Sequence, residues 1–232
     1  MRILFCFLVV WAMLPAEMVS QNKLTSQEKK NGWILLFDGV STNGWTTTKG
    51  KTVPAGWEVN NGSITAIKNG KGGDIISENE YSDFDLFLDY KLEPGTNSGV
   101  KYFFTKYDNG GNLGMEFQII DDKLGEDTNK ENHLTGALYD VLPPIESKKK
   151  INDSGQWNTL RIVAKGKEIE HWLNGKKILE FTRGSNAYTN AIAQSKFNET
   201  MPLFGMVDKG HILLQEHGGV ISFQNIKIKL LK

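Results

Sequence analysis

The chain has 232 residues, of which 27 are Lys or Arg and 27 are Asp or Glu, so its formal charge at pH 7 is +0. No basic stripe appears, which excludes nucleic acid as an expected partner and favours a neutral polar ligand. Cys6 is the single cysteine, so stability has to come from a buried core rather than a disulfide framework.

Met1-Arg2, the apolar run from Ile3 to Leu14, and then Pro15, Ala16 and Ser20 have the layout of a secretory signal. The run is shorter than the roughly 20 residues needed to span a bilayer, so no membrane span is expected. Cleavage is expected after Ser20, with Ala16 as the other site, and the protein is expected to be exported to the periplasm or the extracellular space. Residues 21–31 are polar and read as a short helix or a loose arm.

From Gly32 onward, short apolar or alternating runs are separated by Gly, Asn and Asp. They predict strands at 33–37, 57–60, 63–67, 74–77, 83–91, 99–104, 114–121, 136–141, 157–164, 168–173, 176–181, 211–215 and 220–229. Asn174-Gly175 is a two-residue turn that favours positive φ, so the strands on either side form a hairpin. No long helix, repeat or linker is predicted, and Lys148-Lys149-Lys150 reads as a solvated loop. The expectation is one all-β sandwich domain over residues 32–232.

Within it, Gly114-Met115-Glu116-Phe117-Gln118-Ile119-Ile120-Asp121 carries the strongest functional signal. Met115, Phe117 and Ile119 alternate with Glu116 and Gln118, so one face enters the core and the other presents a carboxylate and an amide. Asp121 would join the Glu116 face only through a β-bulge near Ile120. The E-x-Q-x-x-D pattern is similar to the E-x-D-x-x-E strand of sandwich-fold glucanases, with an amide in place of the middle acid. A retaining glycosidase needs carboxyl groups about 5–5.5 Å apart, whereas about 13–16 Å of strand separates Glu116 from Asp121. In the preceding strand, alternation puts Lys101 and Phe103 on one face and Tyr102 and Phe104 on the other, and Lys101 either pairs with Glu116 or lies exposed on a solvated face.

Further candidates are His133 as a general acid or base and Tyr139 as a sugar platform or proton donor. Gln215, Glu216 and His217 end a strand where a cleft rim would lie. Trp172 is either a sugar platform or core. No tight His spacing predicts a metal, and no cofactor is expected.

Together the segments resemble the 3-keto-disaccharide hydrolase family. The likeness rests on Gly32-Trp33-Ile34-Leu35-Leu36-Phe37-Asp38-Gly39, Gly44-Trp45, Asn97-Ser98-Gly99-Val100 and Glu116-Phe117-Gln118-Ile119-Ile120-Asp121-Asp122. It continues through Thr135-Gly136-Ala137-Leu138-Tyr139-Asp140, Trp157-Asn158, Arg161-Ile162, His171-Trp172-Leu173-Asn174-Gly175 and Leu214-Gln215-Glu216-His217-Gly218. Lys101 and Glu216 depart from the family's common Arg and Asp, each keeping its charge.

The resemblance implies a concanavalin A-like jelly roll of two antiparallel sheets and a small-molecule substrate, a glycoside oxidised to a ketone at carbon 3. That ketone acidifies the carbon 2 hydrogen, so a base can start β-elimination of the leaving group, and water then adds. The roles implied are Glu116 or His217 as base, Lys101 as enolate stabiliser, and Tyr139 or His133 as proton donor. Gln118, Asp121 and Gln215 would orient sugar hydroxyls, with Glu216 and Trp172 beside them. An ordinary glycoside hydrolase and a non-catalytic carbohydrate-binding module are the alternatives.

Overall fold

The computed structural model describes residues 21–107, 111–198, 201 and 203–232; the expected signal segment, residues 1–20, lies outside them. The polar arm forms helix α1 (Ser26–Lys30). It is held by a reciprocal cap in which Glu28 N–H donates to the Thr25 hydroxyl and Thr25 N–H donates to the Glu28 carboxylate.

Strands follow as β1 (Trp33–Leu35), β2 (Trp45–Thr47), β3 (Trp57–Asn60), β4 (Ser63–Ala66), β5 (Ile75–Tyr81), β6 (Phe84–Leu92) and β7 (Asn97–Lys106). After them come β8 (Asn112–Ile120), β9 (Asn158–Lys165), β10 (Glu168–Leu173) and β11 (Lys176–Thr182). Helix α2 (Asn186–Ala193), β12 (Gly210–Leu214) and β13 (Ile221–Leu230) complete the order. One antiparallel sheet runs β11-β10-β9-β6-β13-β4-β3, with β1 also paired to β13, and the other runs β2-β5-β12-β7-β8. The fold is therefore the expected all-β jelly-roll sandwich.

Apolar residues of both sheets fill the space between them. Met115, Phe117 and Ile119 of β8 meet Leu86, Leu88 and Tyr90 of β6 and Leu160 and Ile162 of β9 in one buried cluster. Period-two alternation then forces Glu116 and Gln118 onto the outer face of the smaller sheet. The β10–β11 hairpin forms as predicted, with Asn174 at φ 46 and Gly175 at φ 77. Among the described residues no helix is long and apolar enough to cross a membrane.

The departures from expectation are local. Strand β2 and helix α2, the latter capped by Ser185, were not predicted, because three strand residues and eight helical ones carry too little periodicity. Residues 136–141 do not form a strand. Gly136 (φ 92) and Asp140 (φ 60) interrupt the ladder, leaving only isolated bridges of Leu138 to Phe117 and Leu142. Lys149 is not solvated, since its ammonium lies 2.8 Å from both Asp122 and Glu146.

Strand β7 contains the one irregularity that matters for the site. Its register with β8 jumps between Tyr102 and Thr105, and Phe103 has φ 51. Tyr102 and Phe103 consequently both enter the core, while Phe104 emerges to join Ile76 and Leu213 in a small separate cluster. The expected pairing of Lys101 with Phe103 on one face is thus corrected. The bulge puts Phe104 there instead.

His171 lies wholly inside the sandwich, bonded at 2.9 Å to the Tyr102 hydroxyl through Nε2 and to the Gly136 carbonyl through Nδ1. Burial lowers its pKa from 6.5 to about 4. Between these values the unfolded chain binds a proton that the folded one refuses, so stability falls on acidification. Urea unfolding followed from pH 6.5 to 4 should show this loss, at most about 1.4 kcal/mol per pH unit for one group. The His171→Asn variant, although less stable overall, should lose that part of the slope.

Candidate active site

The outer face of the smaller sheet carries an ordered set of polar side chains. Ile76, Leu213, Lys101 and Glu116 are successive cross-strand partners on β5, β12, β7 and β8. One row along, Gln215 N–H donates to the Gly99 carbonyl at 3.0 Å, and Gly99 faces Gln118. Asn97 lies two residues before Gly99 on the same face. These positions line up because strand residues repeat at i, i+2 and i+4 on one side.

Glu116 is the centre of this face. Its carboxylate is 3.5 Å from the Lys101 ammonium, and the two side chains are 11% and 16% exposed. It rests over Gly99, where a Cβ would stand 2.5 Å from Oε1, so the missing side chain is the space the carboxylate occupies. Burial pushes the Glu116 carboxyl above its ordinary range, and Lys101 and Lys196 oppose that shift. Of the two expectations for Lys101, the pair with Glu116 is the one present.

Asp74, next to β5, was not a sequence candidate. It accepts from the Glu216 N–H at 3.0 Å, and burial raises its pKa against the opposing charge of Lys101. It also interacts electrostatically with Glu116 and His217. The available signal was an acid directly preceding the apolar start of a strand that turned out to be central.

Segment 134–142 adds itself to the free edge of β8. Gln118 N–H donates to the Ala137 carbonyl, while the N–H groups of Gly136 and Tyr139 donate to the carbonyls of Gln118 and Glu116. Tyr139 therefore stands beside Glu116. Its hydroxyl donates to Asp127 at 2.8 Å, and burial, with that carboxylate, raises its pKa. His133 is bonded at 2.7 Å to Asp127 through Nδ1 and at 2.7 Å to Asp140 through Nε2. Both of its ring nitrogens are occupied and the residue is buried. Its expected role as an acid or base is corrected to that of a cross-link in the wall.

Lys196, just after α2, was missed for want of any local signal. Its N–H donates to Asp140 at 2.7 Å and its ammonium lies 4.1 Å above the Tyr139 ring. Partial desolvation lowers its pKa, while Glu116 and Asp140 pull it back up. Two cations thus act on the Glu116 carboxylate.

The remaining candidates divide. Gln215 lies on the cleft face, and its side-chain amide has no hydrogen-bond partner among the described residues. His217 is exposed at the rim. Gln118 is only 1% exposed, donates from Nε2 to Asn97 at 3.3 Å, and leaves Oε1 unpartnered among the described residues. It lies too deep for direct sugar contact and supports the floor. Glu216 accepts from the N–H groups of Gly73 (3.2 Å) and Gly218 (2.8 Å), which makes it a loop clamp rather than a sugar ligand.

Asp121 and Trp172 leave the site altogether. No bulge forms near Ile120, because the register with β7 is regular from Ile120 to Met115. The Asp121 carboxylate accepts from the N–H groups of Gly95, Lys123 and Leu124 and from the Ser154 hydroxyl. These bonds hold it below the ordinary carboxylate range despite some burial. Trp172 belongs to the other sheet, donating to Glu170 under the Arg161 guanidinium. Among the described residues no group of three or more His, Cys, Asp or Glu side chains is arranged to hold a metal ion.

A largely buried carboxylate paired with Lys101 on the outer face of a jelly roll suits a carbohydrate-active enzyme of the glycoside-hydrolase type, which the relatives support. The profile of the 3-keto-alpha-glucoside-1,2-lyase-like domain matches residues 32–229, and the chain belongs to this family. A 3-keto-disaccharide hydrolase of Bacteroides thetaiotaomicron is 29% identical, the match covering 87% of this chain and 79% of the relative. A crystal structure of a candidate glycosyl hydrolase from Parabacteroides distasonis superposes with TM-score 0.82 at 31% identity, covering 92% of this chain and 100% of that one. A second from that organism gives 0.66 at 30% identity, covering 87% and 100%. A carbohydrate-binding module of Bacillus subtilis shares the fold at TM-score 0.50 and 15% identity, covering 80% and 95%.

Two variants separate the cleft from its scaffold. Gly99 is not at positive φ, so Gly99→Ala disturbs the Glu116 carboxylate and little else. It should cut turnover at least tenfold while the melting temperature moves by only a few degrees. Asp121→Ala should behave in the opposite way, losing about 3 kcal/mol in urea unfolding with kcat changed less than threefold.

Proposed function

We propose that the chain cleaves glycosides oxidised to a ketone at carbon 3, with Glu116 as the base that removes the carbon 2 proton. The observation that carries this reading is the buried Glu116 carboxylate, 3.5 Å from the Lys101 ammonium and raised in pKa by burial against the charges of Lys101 and Lys196. A carboxylate lifted toward neutrality is a stronger base, and a fixed cation beside it stabilises the enolate that forms as the proton leaves. One base and an adjacent cation suit elimination better than a retaining glycosidase, since Asp121 faces away from Glu116.

The chemistry then runs in two stages. Glu116 takes the proton from carbon 2 and the electron pair forms the enolate, whose oxygen faces Lys101. The enolate collapses, the bond from carbon 1 to the glycosidic oxygen breaks, and that oxygen is protonated. Water adds its hydroxide to carbon 1 of the enone and a proton returns to carbon 2.

The donor to the leaving oxygen is assigned to Asp74 with His217 at its side, because burial favours the protonated Asp74 carboxyl. Tyr139 and His133 are replaced in that role, their polar atoms being bonded to Asp127 and Asp140. Export to the periplasm or the extracellular space is part of the proposal and rests on the sequence of residues 1–20. A second reading has one support: Asp74 and Glu116 are two carboxyl groups of raised pKa acting on one cleft. Such a pair could serve an inverting hydrolase of unoxidised sugars.

Product analysis with 3-keto-trehalose, 3-keto-lactose and the parent disaccharides decides between the two. Release of a monosaccharide from the keto sugars alone is the expected result, and cleavage of the parent sugars instead would establish the second reading. Glu116→Gln should lower kcat by at least about 100-fold. With the wild type, kcat/KM should rise as Glu116 ionises, with an inflection above the roughly 4.3 of an ordinary Glu, and that limb should vanish in Glu116→Gln.

A further inference from the structure

In the wall beside Glu116, Asp140 is constrained in both backbone and side chain. Its φ of 60 lies in the left-handed region, which aspartate and asparagine tolerate better than most residues with a side chain. It is 7% exposed, and each of its carboxylate oxygens takes a different part of the chain. Oδ1 is 2.7 Å from His133 Nε2, and Oδ2 accepts from the Lys196 N–H at 2.7 Å. The Asp140 N–H donates to the Asn132 carbonyl at 2.9 Å. One residue thus ties segments 131–133 and 194–197 to the strip of chain along β8.

The bond to Lys196 bears on the reacting centre. The backbone N–H groups of Gln194, Ser195 and Asn198 donate to Ala191, Ile192 and Ser195, all within the same stretch of chain. The Asp140 carboxylate reaches that stretch from outside. The Lys196 ammonium lies 4.1 Å from the centroid of the Tyr139 ring and 5.3 Å from that of Phe197. Beyond it, the side chain borders a cavity of about 330 Å³ with Leu113, Phe197 and Met201. A lysine stem is flexible, so its charge can stand over Tyr139 or swing into this cavity. A fixed backbone at Lys196 selects the first.

The charges around Glu116 give the two residues opposite signatures. Lys101 faces it from β7, Asp74 from the start of β5 with His217 behind, and Tyr139 and Lys196 from the wall. Lys196 favours the ionised carboxylate. Asp140 is itself an anion, and its direct field would act the other way.

We propose that Asp140 is a positioning residue: by holding the Lys196 backbone it keeps the Lys196 ammonium over Tyr139, where its charge bears on Glu116. Only the effect on turnover rests on Glu116 being the base, as read above; the effect on its titration does not.

The test is carbon-13 NMR titration of the Glu116 carboxyl in the purified protein, assigned with Glu116→Gln, which needs no substrate. Lys196→Met should move the titration to higher pH by about half a unit or more, because a cation favouring the carboxylate is gone. Asp140→Ala should move it in the same direction, whereas direct loss of the Asp140 charge would move it to lower pH. Asp140→Asn accepts the left-handed backbone and keeps a carbonyl oxygen for the Lys196 N–H, so it should titrate like the wild type. In the Lys196→Met background, Asp140→Ala should add no further rise. The ascending limb of kcat/KM on a 3-keto-disaccharide should follow the same order. An unmoved titration in Lys196→Met, or an absent or downward shift in Asp140→Ala, overturns the positioning role and leaves the proposed function standing. Should Asp140→Ala fail to fold, an Asp140→Asn titration matching that of Lys196→Met overturns it equally. The expected shifts in a protein that cleaves no keto sugar overturn the function alone.

Discussion

A carboxylate held out of water beside an ammonium group organises this molecule's working face. Glu116 can sit there because Gly99 has no side chain to occupy the space, and because Lys101 stands directly across on the neighbouring strand. An unpaired buried carboxylate would simply take up a proton, and a well-solvated pair would have ordinary chemistry. The intermediate state, paired but largely dehydrated, gives a base stronger than a free glutamate with its counter-charge already in place.

The bulge in β7 borders that arrangement. By turning Phe103 inward under the Arg183 guanidinium, 4.3 Å from the ring centroid, it brings Phe104 out to pack with Ile76 and Leu213. This apolar cluster adjoins the ion pair, Leu213 being the cross-strand partner of Lys101. The wall opposite is stiffened differently. Asp127, His133 and Asp140 are bonded in series, and Asp140 in turn holds the backbone of Lys196. Segments distant in sequence are thereby fixed around one carboxylate with little freedom to relax, and such preorganisation lets a site stabilise developing charge.

The same sandwich supports both enzymes and binding modules, so the architecture alone does not decide the chemistry. The contents of the outer face do. A binding module needs platforms for sugar rings, but Trp172 belongs to the other sheet, and the Tyr139 ring is already packed against His133 and lies under the Lys196 ammonium. What the outer face holds instead is a buried carboxylate paired with a lysine and a second carboxyl group of raised pKa. The proposed bond cleavage draws on these groups.

The sequence by itself determined the sandwich, the β10–β11 hairpin and the outward position of Glu116, because strand alternation and positive-φ turns act over a few residues. It offered Lys101 as a partner for Glu116 but left a solvated Lys101 open, and only the register of β7 with β8 set the two opposite each other. Tertiary structure alone decided that Asp121 caps a turn, that His133 is enclosed by two carboxylates, and that Trp172 faces elsewhere. It alone brought Asp74 and Lys196 to the cleft. A hydrogen-bonding side chain has the same letter whether it is bonded to a neighbouring loop or open to a ligand, and only the path of the distant chain settles which of the two it is.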